Sequence, residues 1–320
     1  MTEIKPLTSE DIERVFPLWA KTYPEKYQIT PDLLKQKTVD HPNFLPDASF
    51  YIESNGTPTA FIASKADPYG TLFGEPSLNR IHINTLAYSN ESDINILLSD
   101  IYNDLSRNHP ITFGQDQGHF FPGVPEECHE LITLLEQDGF EKQGHLANDL
   151  EHDLTQFNPE PEWLKPLNRP NLQVRTCTME DIPALDEFFQ REFPGRWHYD
   201  TVIEKCQTWQ EPEGIIALWQ EDTIEGFAYT QNYHRQSHPI AGYVWHIDLG
   251  PQSGALGPIG VSKRVRGQKL GGALLVAGLQ HLKELGVHNC IIDWTSLVDF
   301  YGKYGFQVNR RYQPMTKPAN

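Results

Sequence analysis

The chain has 320 residues, of which 38% are hydrophobic and 22% are charged, and these values predict a soluble globular protein with room for two domains. Its formal net charge of −17 argues against nucleic acid as a partner, because binding to phosphates needs a basic face, and it is compatible with a cationic amine substrate. No apolar run approaches the length of a membrane span and residues 1–5 do not begin a signal peptide, so we expect a cytoplasmic protein without a membrane partner.

The first predicted elements are a strand at 3–7 and a helix that begins at Thr8, with Asp11 placed to complete its cap. A hairpin with an Asn-Gly turn follows over 49–63. A strand at 80–87 then leads into an acidic turn, 88–93, and an amphipathic helix. Carboxylates cap such a helix well, but they repel phosphate.

Three of these signatures return in the same order in the second half of the sequence: a capped helix start, a hairpin and a Gly-Phe pair. They lie at 8–12, 49–63 and 139–140 in the first half and at 178–182, 214–229 and 305–306 in the second. The nearly constant separation predicts two copies of one fold.

The segment 156–170 carries four prolines, which prevent both a continuous helix and ladder pairing, so we interpret it as an extended linker. Trp163 and Leu164 are expected to pin it to one domain. The predicted domains are therefore 1–155 and 171–320, joined by a Pro-rich linker at 156–170. The scattered cysteines (Cys128, Cys177, Cys206 and Cys290) are expected to be reduced core thiols, and no histidine pair has metal-ligand spacing, so no metal is expected.

The stretch 257–275 combines a short apolar strand ending at Val261, a basic Gly-rich turn from Lys263 to Gly272, and a helix that starts at Ala273. A Gly-rich turn that opens a helix after a strand is an anion site, because the first turn of the helix leaves amide groups unpaired. Arg266 adds a guanidinium group, and the glycines allow a phosphate to approach the backbone.

Residues 266–271 (Arg-Gly-Gln-Lys-Leu-Gly) resemble the Arg/Gln-x-x-Gly-x-Gly/Ala loop of the GCN5-related N-acetyltransferase (GNAT) superfamily, with Lys269 where the first Gly usually stands. One helix and one strand later, residues 300–306 resemble the superfamily's Phe-Tyr-x-x-x-Gly-Phe helix. The resemblance covers 172–315. It implies an α/β (α+β) fold with two tandem GNAT-like domains, each a twisted mixed sheet flanked by helices, as in tandem acetyltransferases such as mycothiol synthase.

The resemblance also implies acetyl-CoA as cofactor and residues that bind it. The cofactor-binding residues are expected to be Ile259, Gly260, Val261, Arg266, Gly267, Gln268, Lys269, Leu270, Gly271, Gly272, Thr295 and Tyr304. Tyr301 is the candidate acid for the departing sulfur, because a phenol stays protonated at neutral pH; the alternative is a core aromatic of an amphipathic helix.

The first copy lacks both parts. When 139–140 is aligned on 305–306, Leu135 takes the position of Tyr301 and Asp138 that of Tyr304, and its turn is acidic. We therefore expect a degenerate N-terminal copy that does not bind acetyl-CoA in the usual way.

The acceptor is expected to contact two aromatic segments, 192–199 and 242–246, unless these aromatics only pack under a long connection. Their candidate substrate residues are Trp197, Tyr199, Trp245 and His246. The segment 118–125 of the first copy either closes the pocket or seals the domain interface. For the general base, the sequence leaves Glu225, His246, Asp248 and a water chain open.

The sequence thus predicts an acetyl-CoA-dependent N-acetyltransferase, an acyltransferase acting on the amine of a small molecule or peptide by direct transfer in a ternary complex. The alternatives are a catalytically silent acyl-CoA-binding or sensor protein and a protein lysine acetyltransferase whose N-terminal copy recognises a partner. The acceptor, the acyl-chain preference and the oligomeric state stay open.

Overall fold

The structure is a computed structural model that describes residues 2–66, 80–102, 105–116, 118–235 and 238–319. The described strands form two mixed sheets, with orders β1-β2-β3-β4-β5-β15-β7 and β6-β14-β8-β13-β12-β11-β10-β9. The strands are β1 (Thr2–Pro6), β2 (Phe50–Ser54), β3 (Thr57–Ala66), β4 (Ile81–Tyr88), β5 (Ile111–Phe113), β6 (Val124–Pro125), β7 (Glu141–Lys142), β8 (Ala147–Asp153), β9 (Leu172–Thr176), β10 (Ile215–Gln220), β11 (Thr223–Asn232), β12 (Ser253–Val261), β13 (Asn289–Thr295), β14 (Gln307–Gln313) and β15 (Met315–Lys317).

Helices flank both sheets, and the α/β class with two mixed sheets is confirmed. The α-helices are α1 (Ile12–Val15), α2 (Trp19–Thr22), α3 (Pro31–Lys37), α4 (Glu91–Leu97), α5 (His129–Gln137), α6 (Pro161–Leu164), α7 (Ile182–Glu192), α8 (Arg196–His198), α9 (His246–Leu249), α10 (Leu270–Glu284) and α11 (Val298–Gly302). Two π-helices cover Leu98–Tyr102 and Tyr199–Thr208. Short 3₁₀ turns cover Ser9–Asp11, Phe16–Leu18, Glu25–Tyr27, Pro46–Ala48, Leu154–Gln156, Lys165–Leu167, Met179–Asp181, Pro212–Gly214, Ala241–Trp245 and Lys263–Val265.

The repeated signatures have the same structure in both halves. Thr8 with Asp11, and Thr178 with Asp181, each form a complete capping box. The hairpin β2–β3 matches the hairpin β10–β11, and each sheet has one parallel strand pair, β4–β5 in the first and β12–β13 in the second. The internal repeat predicted from the sequence is therefore confirmed in these elements.

The two halves exchange strands. β8, from the first half of the chain, lies between β13 and β14 of the second sheet, and β6 pairs with β14 at its edge. In return, β15 at the end of the chain lies between β5 and β7 of the first sheet. Each sheet is therefore completed by the other half of the chain.

The contact between the halves has the character of a core. Trp245 is buried against Tyr27 and Phe121, with ring centroids 5.1 Å and 5.3 Å away, and belongs to the apolar cluster that fills the first copy. Beside it, Arg310 is buried with its guanidinium group on Asp248 and Glu151. Such a contact fixes the two copies relative to each other.

All four cysteines are buried and unpaired, as predicted. Among the described residues, no helix combines the length and the apolar composition that crossing a membrane requires. The segment 156–170 is not extended as predicted, because a proline can begin a helix, and it contains α6 (Pro161–Leu164) and the 3₁₀ turn Lys165–Leu167. Trp163 packs its ring on Tyr304, with centroids 5.1 Å apart, which ties this segment to the second copy.

Candidate active site

A cavity of about 400 Å³ opens where two strands of the second sheet separate. β12 and β13 pair in parallel only between residues 253–255 and 289–291. Beyond this ladder their side chains and backbone line the cavity walls, together with residues from α8, α11 and the first copy. The lining residues are His119, Arg196, Trp197, Gly257, Pro258, Ile259, Ile292, Asp293, Trp294, Thr295, Ser296, Leu297 and Tyr301.

Tyr301 presents a phenol to this cavity from α11. Its side chain is 7% exposed, and its ring packs edge-on against Phe300, with centroids 5.0 Å apart. Burial and the nearby charge of Asp293 raise the pKa of Tyr301 to about 12. The phenol therefore stays protonated at neutral pH and can donate a proton to a group in the cavity.

Asp293 is a carboxyl group in the cavity wall that the sequence analysis did not single out. Its Oδ2 atom is buried and has no hydrogen-bond partner among the described residues. Burial and the nearby Asp149 raise the pKa of Asp293 to about 8. A buried polar atom without a partner is costly, so this atom is suited to receive a donor from a bound molecule.

The opposite wall is aromatic and basic. The guanidinium group of Arg196 lies over the ring of Trp294, 5.0 Å from its centroid, and the His119 ring meets the same indole edge-on at 4.5 Å. Trp294 has φ of +48°, an unusual conformation for a bulky residue, and its amide donates to Asp149 at 3.2 Å. Trp294 is therefore held in a strained position at the cavity.

The Gly-rich turn lies directly after β12. The helix α10 begins at Leu270, three residues earlier than predicted, because Gly271 and Gly272 take helical conformations. Lys269 is its N-cap, with φ of +62°, the left-handed conformation that glycine adopts without cost. A lysine therefore stands here in a conformation that glycine would adopt more easily.

The turn offers a favourable environment for a diphosphate. The amides of residues 270–272 are in the first turn of α10 and lack intrahelical acceptors. A Cβ atom at Gly271 would have no neighbour within 4 Å, whereas one at Gly272 would lie 2.1 Å from the Tyr304 hydroxyl. Arg266 is exposed, and its Nε lies 3.5 Å from the carbonyl of Val261. Free amides, open space and basic side chains fit the pyrophosphate of acetyl-CoA.

The structure brings several predicted residues to this cavity and its turn. Ile259, Thr295, Tyr301 and Trp197 line the cavity. Gly260 and Val261 continue β12 from the cavity toward the turn, which contains Gln268. The side chain of Gln268 accepts a hydrogen bond from Arg169 of the linker at 2.7 Å.

Other predicted residues lie elsewhere. Trp245 is in the core between the copies, and Tyr199 is buried at the start of a π-helix. His246 is partly buried, with Nδ1 3.2 Å from the Tyr243 carbonyl, and burial lowers its pKa. None of these three lines the cavity among the residues that the structure describes.

The base candidates are occupied by other contacts. Glu225 receives hydrogen bonds from Ser262 and Arg264, and Asp248 receives one from Arg310. Neither carboxylate lines the described cavity. A water chain stays a prediction, as do the roles assigned to the turn and to Tyr301.

The segment 118–125 does both things that the sequence left open. His119 lines the cavity, while Phe120 and Phe121 pack on Trp245 of the second copy, with ring centroids 6.1 Å and 5.3 Å apart, in the contact between the copies. In the first copy, Glu91 and Asp93 lie in the first turn of α4, where the second copy has its glycines.

Asp293 and Trp294 were not among the residues predicted from the sequence, whereas Arg196 and His119 lie in the predicted segments 192–199 and 118–125 without having been singled out. One signal was present for Asp293, since it is a charged residue in the otherwise apolar run 290–294. Such a residue is buried with a partner or serves a site.

Comparison with known proteins finds similarity to acetyltransferases in the second half of the chain. The model of the acetyltransferase (GNAT) family matches residues 182–306. A mycothiol acetyltransferase of Paenarthrobacter aurescens (strain TC1) is 32% identical over 127 residues, which are 37% of this chain and 36% of that protein. One of Geodermatophilus obscurus is 27% identical over 185 residues, 54% of this chain and 55% of that protein. The chain therefore spans between about a third and about half of these relatives.

Solved structures show the same fold along the whole chain. A GCN5-related glucosamine N-acetyltransferase region of a fungal multi-domain β-N-acetylglucosaminidase superposes with a TM-score of 0.83 at 18% identity, covering 99% of this chain and 38% of that one. A tandem GNAT protein from the clavulanic acid pathway superposes with a TM-score of 0.63 at 13% identity, covering 100% and 99%. At these identities the likeness establishes the fold, which is that of a tandem GNAT protein.

Proposed function

Because residues 182–306 match the acetyltransferase (GNAT) family model, we propose that the chain is an acetyl-CoA-dependent N-acetyltransferase that acts on the primary amine of a small polar molecule or peptide. The observation that carries this proposal is the cavity at which Tyr301, Asp293 and the end of β12 meet, next to a basic Gly-rich turn. The second copy, which we place at 171–320, holds both parts. The matching turn of the first copy carries Glu91 and Asp93.

Acetyl-CoA would supply an acetyl group activated as a thioester. The first-turn amides of α10 and the side chains of Arg266 and Lys269 would hold its pyrophosphate, and the backbone of 259–261 would pair with its pantetheine arm. Binding there directs the reacting end toward the cavity between β12 and β13. Positioning of this kind provides a large part of the rate in direct transfer between two bound substrates.

Within the cavity, two groups have complementary roles. Asp293 receives the amino group of the acceptor, because its Oδ2 has no other partner among the described residues. Tyr301 donates its proton to the departing sulfur, since burial raises the pKa of this phenol to about 12 and keeps it protonated. Trp197 and Trp294 offer flat apolar surfaces for the rest of the acceptor.

The relatives support acetyl transfer, since those from Paenarthrobacter aurescens and Geodermatophilus obscurus are named mycothiol acetyltransferases. The left-handed conformation of Lys269 supports a working turn, because it is a conformation in which glycine would also fit at this position. The silent protein and the protein lysine acetyltransferase stay alternatives that turnover assays separate.

Calorimetric titration of acetyl-CoA into the intact protein tests the first step. Gly271→Asp adds a carboxylate to the turn in open space, and Gly271→Asn adds a neutral side chain of the same shape. We expect one saturable site in the wild type, weakening of at least tenfold in the Asp variant and little change in the Asn variant.

Equal binding by both variants would place acetyl-CoA elsewhere, and more than one site would mean that the first copy also binds it. Wild-type protein that binds acetyl-CoA is then screened with primary amines, glucosamine first, by measuring released thiol. Binding without turnover of any amine would favour the silent protein.

A further inference from the structure

The N-terminal copy places an imidazole in the cavity of the C-terminal copy. His119 is 4% exposed and lines the same cavity as Tyr301 and Asp293. It belongs to the segment 118–125, which comes from the half of the chain that lacks the Gly-rich turn and the tyrosine. No residue of the second copy supplies an imidazole to the described cavity.

A buried carboxylate stands behind this imidazole. Asp200, in the first turn of the π-helix Tyr199–Thr208, is fully buried, and its Oδ2 lies 2.9 Å from Nδ1 of His119. The two atoms are not aligned for a hydrogen bond, but the negative charge at this distance favours a proton on Nδ1 and leaves the lone pair on Nε2. Nε2 has no protein partner among the described residues, so it is free to meet a bound molecule.

The backbone holds His119 in a strained conformation. Its φ is +41°, in the left-handed region, and it follows Gly118 at φ of +80°. The neighbouring atoms fix this conformation, because the buried Lys37 donates to the Gly118 carbonyl at 2.8 Å and Phe120 is packed against Trp19. Strain of this sort persists only where the surroundings impose it, and it is concentrated at functional sites.

From this geometry we propose that His119, oriented by Asp200, accepts the proton that the acceptor ammonium must lose before it attacks. The inference rests on the proposed N-acetyltransferase function and names the missing general base. It also makes the first copy a contributor of a catalytic residue.

Each proton transfer in the proposed reaction has a donor and an acceptor. The ammonium gives one proton to Nε2 of His119, and its freed lone pair forms the C–N bond with the thioester carbonyl carbon. When the C–S bond breaks, the thiolate takes the phenol proton of Tyr301, and the second proton of the nitrogen restores the phenol. One proton per turnover remains on His119 and is released to solvent.

The protonation states at neutral pH agree with these roles. The charged groups that face His119 are Asp200, Arg196 and Lys37. Burial lowers the pKa of His119 despite the opposing effect of Asp200, so the imidazole is neutral and able to accept a proton. The carboxyl group of Asp293, with its pKa raised to about 8, is mostly protonated at pH 7, so only a minor fraction is available to take the proton.

The test uses His119→Gly in the full chain, because glycine accepts the positive φ and leaves room for added imidazole. The control is His129→Gln, because His129 is an exposed histidine of the same copy, at the start of α5, and does not line the described cavity. With glucosamine as first probe amine, we expect His119→Gly to lower kcat at least 100-fold, with the Kd for acetyl-CoA unchanged within twofold. Free imidazole should restore part of the rate, and the control should stay within twofold of wild type.

Asp200→Asn adds a readout that does not depend on turnover. NMR titration of the His119 ring should show a pKa below 6.5 in the wild type and a still lower pKa in the variant, because the carboxylate that raises it is gone.

A His119→Gly rate within threefold of wild type would overturn the inference and leave the proposed function standing. So would a lost rate that imidazole does not restore and that accompanies weaker binding of acetyl-CoA. A wild-type protein that acetylates no amine in the panel overturns the proposed function, and this inference with it.

Discussion

Replacing Tyr301 with Phe removes one hydroxyl group and tests the assigned acid directly. The ring is buried against Phe300 and Phe306, with centroids 5.0 Å and 6.1 Å away, and Phe keeps these contacts. The hydroxyl has no hydrogen-bond partner among the residues that the structure describes, so its removal orphans no described group. We therefore expect the free energy of unfolding to change by less than about 0.5 kcal/mol.

The expected loss of rate follows from the acidity of the phenol. With its pKa raised to about 12, Tyr301 is a stronger acid than the water that would replace it, whose pKa is about 15.7, by roughly four units. For a Brønsted coefficient of about one half, the departing sulfur is protonated about 100-fold more slowly, which is about 2.7 kcal/mol of activation free energy. Because the phenol is protonated across the working range, the loss should be constant from about pH 6 to 9.

The assay measures released thiol at saturating acetyl-CoA and amine, with Tyr304→Phe, in the turn after α11, as the control. The Tyr304 hydroxyl lies over Gly272, where a Cβ atom would come within 2.1 Å of it, so its removal should alter the KM for acetyl-CoA and leave kcat within threefold. A Tyr301→Phe kcat within threefold of wild type would refute the assignment. So would a loss that appears only in KM.

Three further predictions concern stability and assembly. Gly272→Ala should lower the free energy of unfolding, measured in urea, by about 1–3 kcal/mol, because its Cβ would collide with the Tyr304 hydroxyl. Gly271→Ala, whose Cβ would lie in open space, should change it by no more than about 1 kcal/mol. Equal effects of the two substitutions would contradict this packing. The pKa of Asp293 is raised from 3.8 to about 8, so between these pH values the native state retains a proton that the unfolded chain releases. The free energy of unfolding should therefore decrease as the pH rises from about 4 to 8. The melting temperature of Asp293→Asn should decrease less over this interval, and parallel curves for variant and wild type would argue against the raised pKa. Residues 1–155 and 171–320 made separately should each be insoluble, because the first fragment lacks β15 and the second lacks β8, which complete their sheets. The two fragments should fold when they are co-expressed. A soluble 171–320 fragment that binds acetyl-CoA would contradict this prediction.

The features that the sequence predicted are those set by neighbouring residues. The capping boxes at Thr8 and Thr178, the Asn55-Gly56 hairpin and the strand-turn-helix around Arg266 all depend on short-range chemistry. The repeat could be found because the same local signatures recur in the same order. Even within the turn, however, the helix began three residues early, since the glycines that allow a close approach can also adopt helical conformations.

The features that the sequence could not predict depend on pairing between distant segments. Nothing local in the strand Ala147–Asp153 distinguishes a place in the second sheet from one in the first, because its mostly polar sequence (Ala-Asn-Asp-Leu-Glu-His-Asp) shows no apolar face that would select a partner. Trp197 and Trp245 lie in the two aromatic segments 192–199 and 242–246, which look alike in the sequence. Trp245 fills the core between the copies, whereas Trp197 lines the cavity. Only the arrangement of the two copies separates these outcomes.

The same arrangement explains how a first copy with acidic residues in its turn can still matter to the second. Glu91 and Asp93 occupy the position of a phosphate site, but β8 from this copy completes the second sheet, and its Asn148 donates to the carbonyl of Thr295 in the cavity wall at 3.0 Å. His119 reaches the cavity along the same interface. Residues that hold this segment, such as Lys37, can therefore affect the chemistry of the second copy without contacting either substrate. Loss of cofactor contacts in one copy and retention of its structure are thus compatible, because the two depend on different residues.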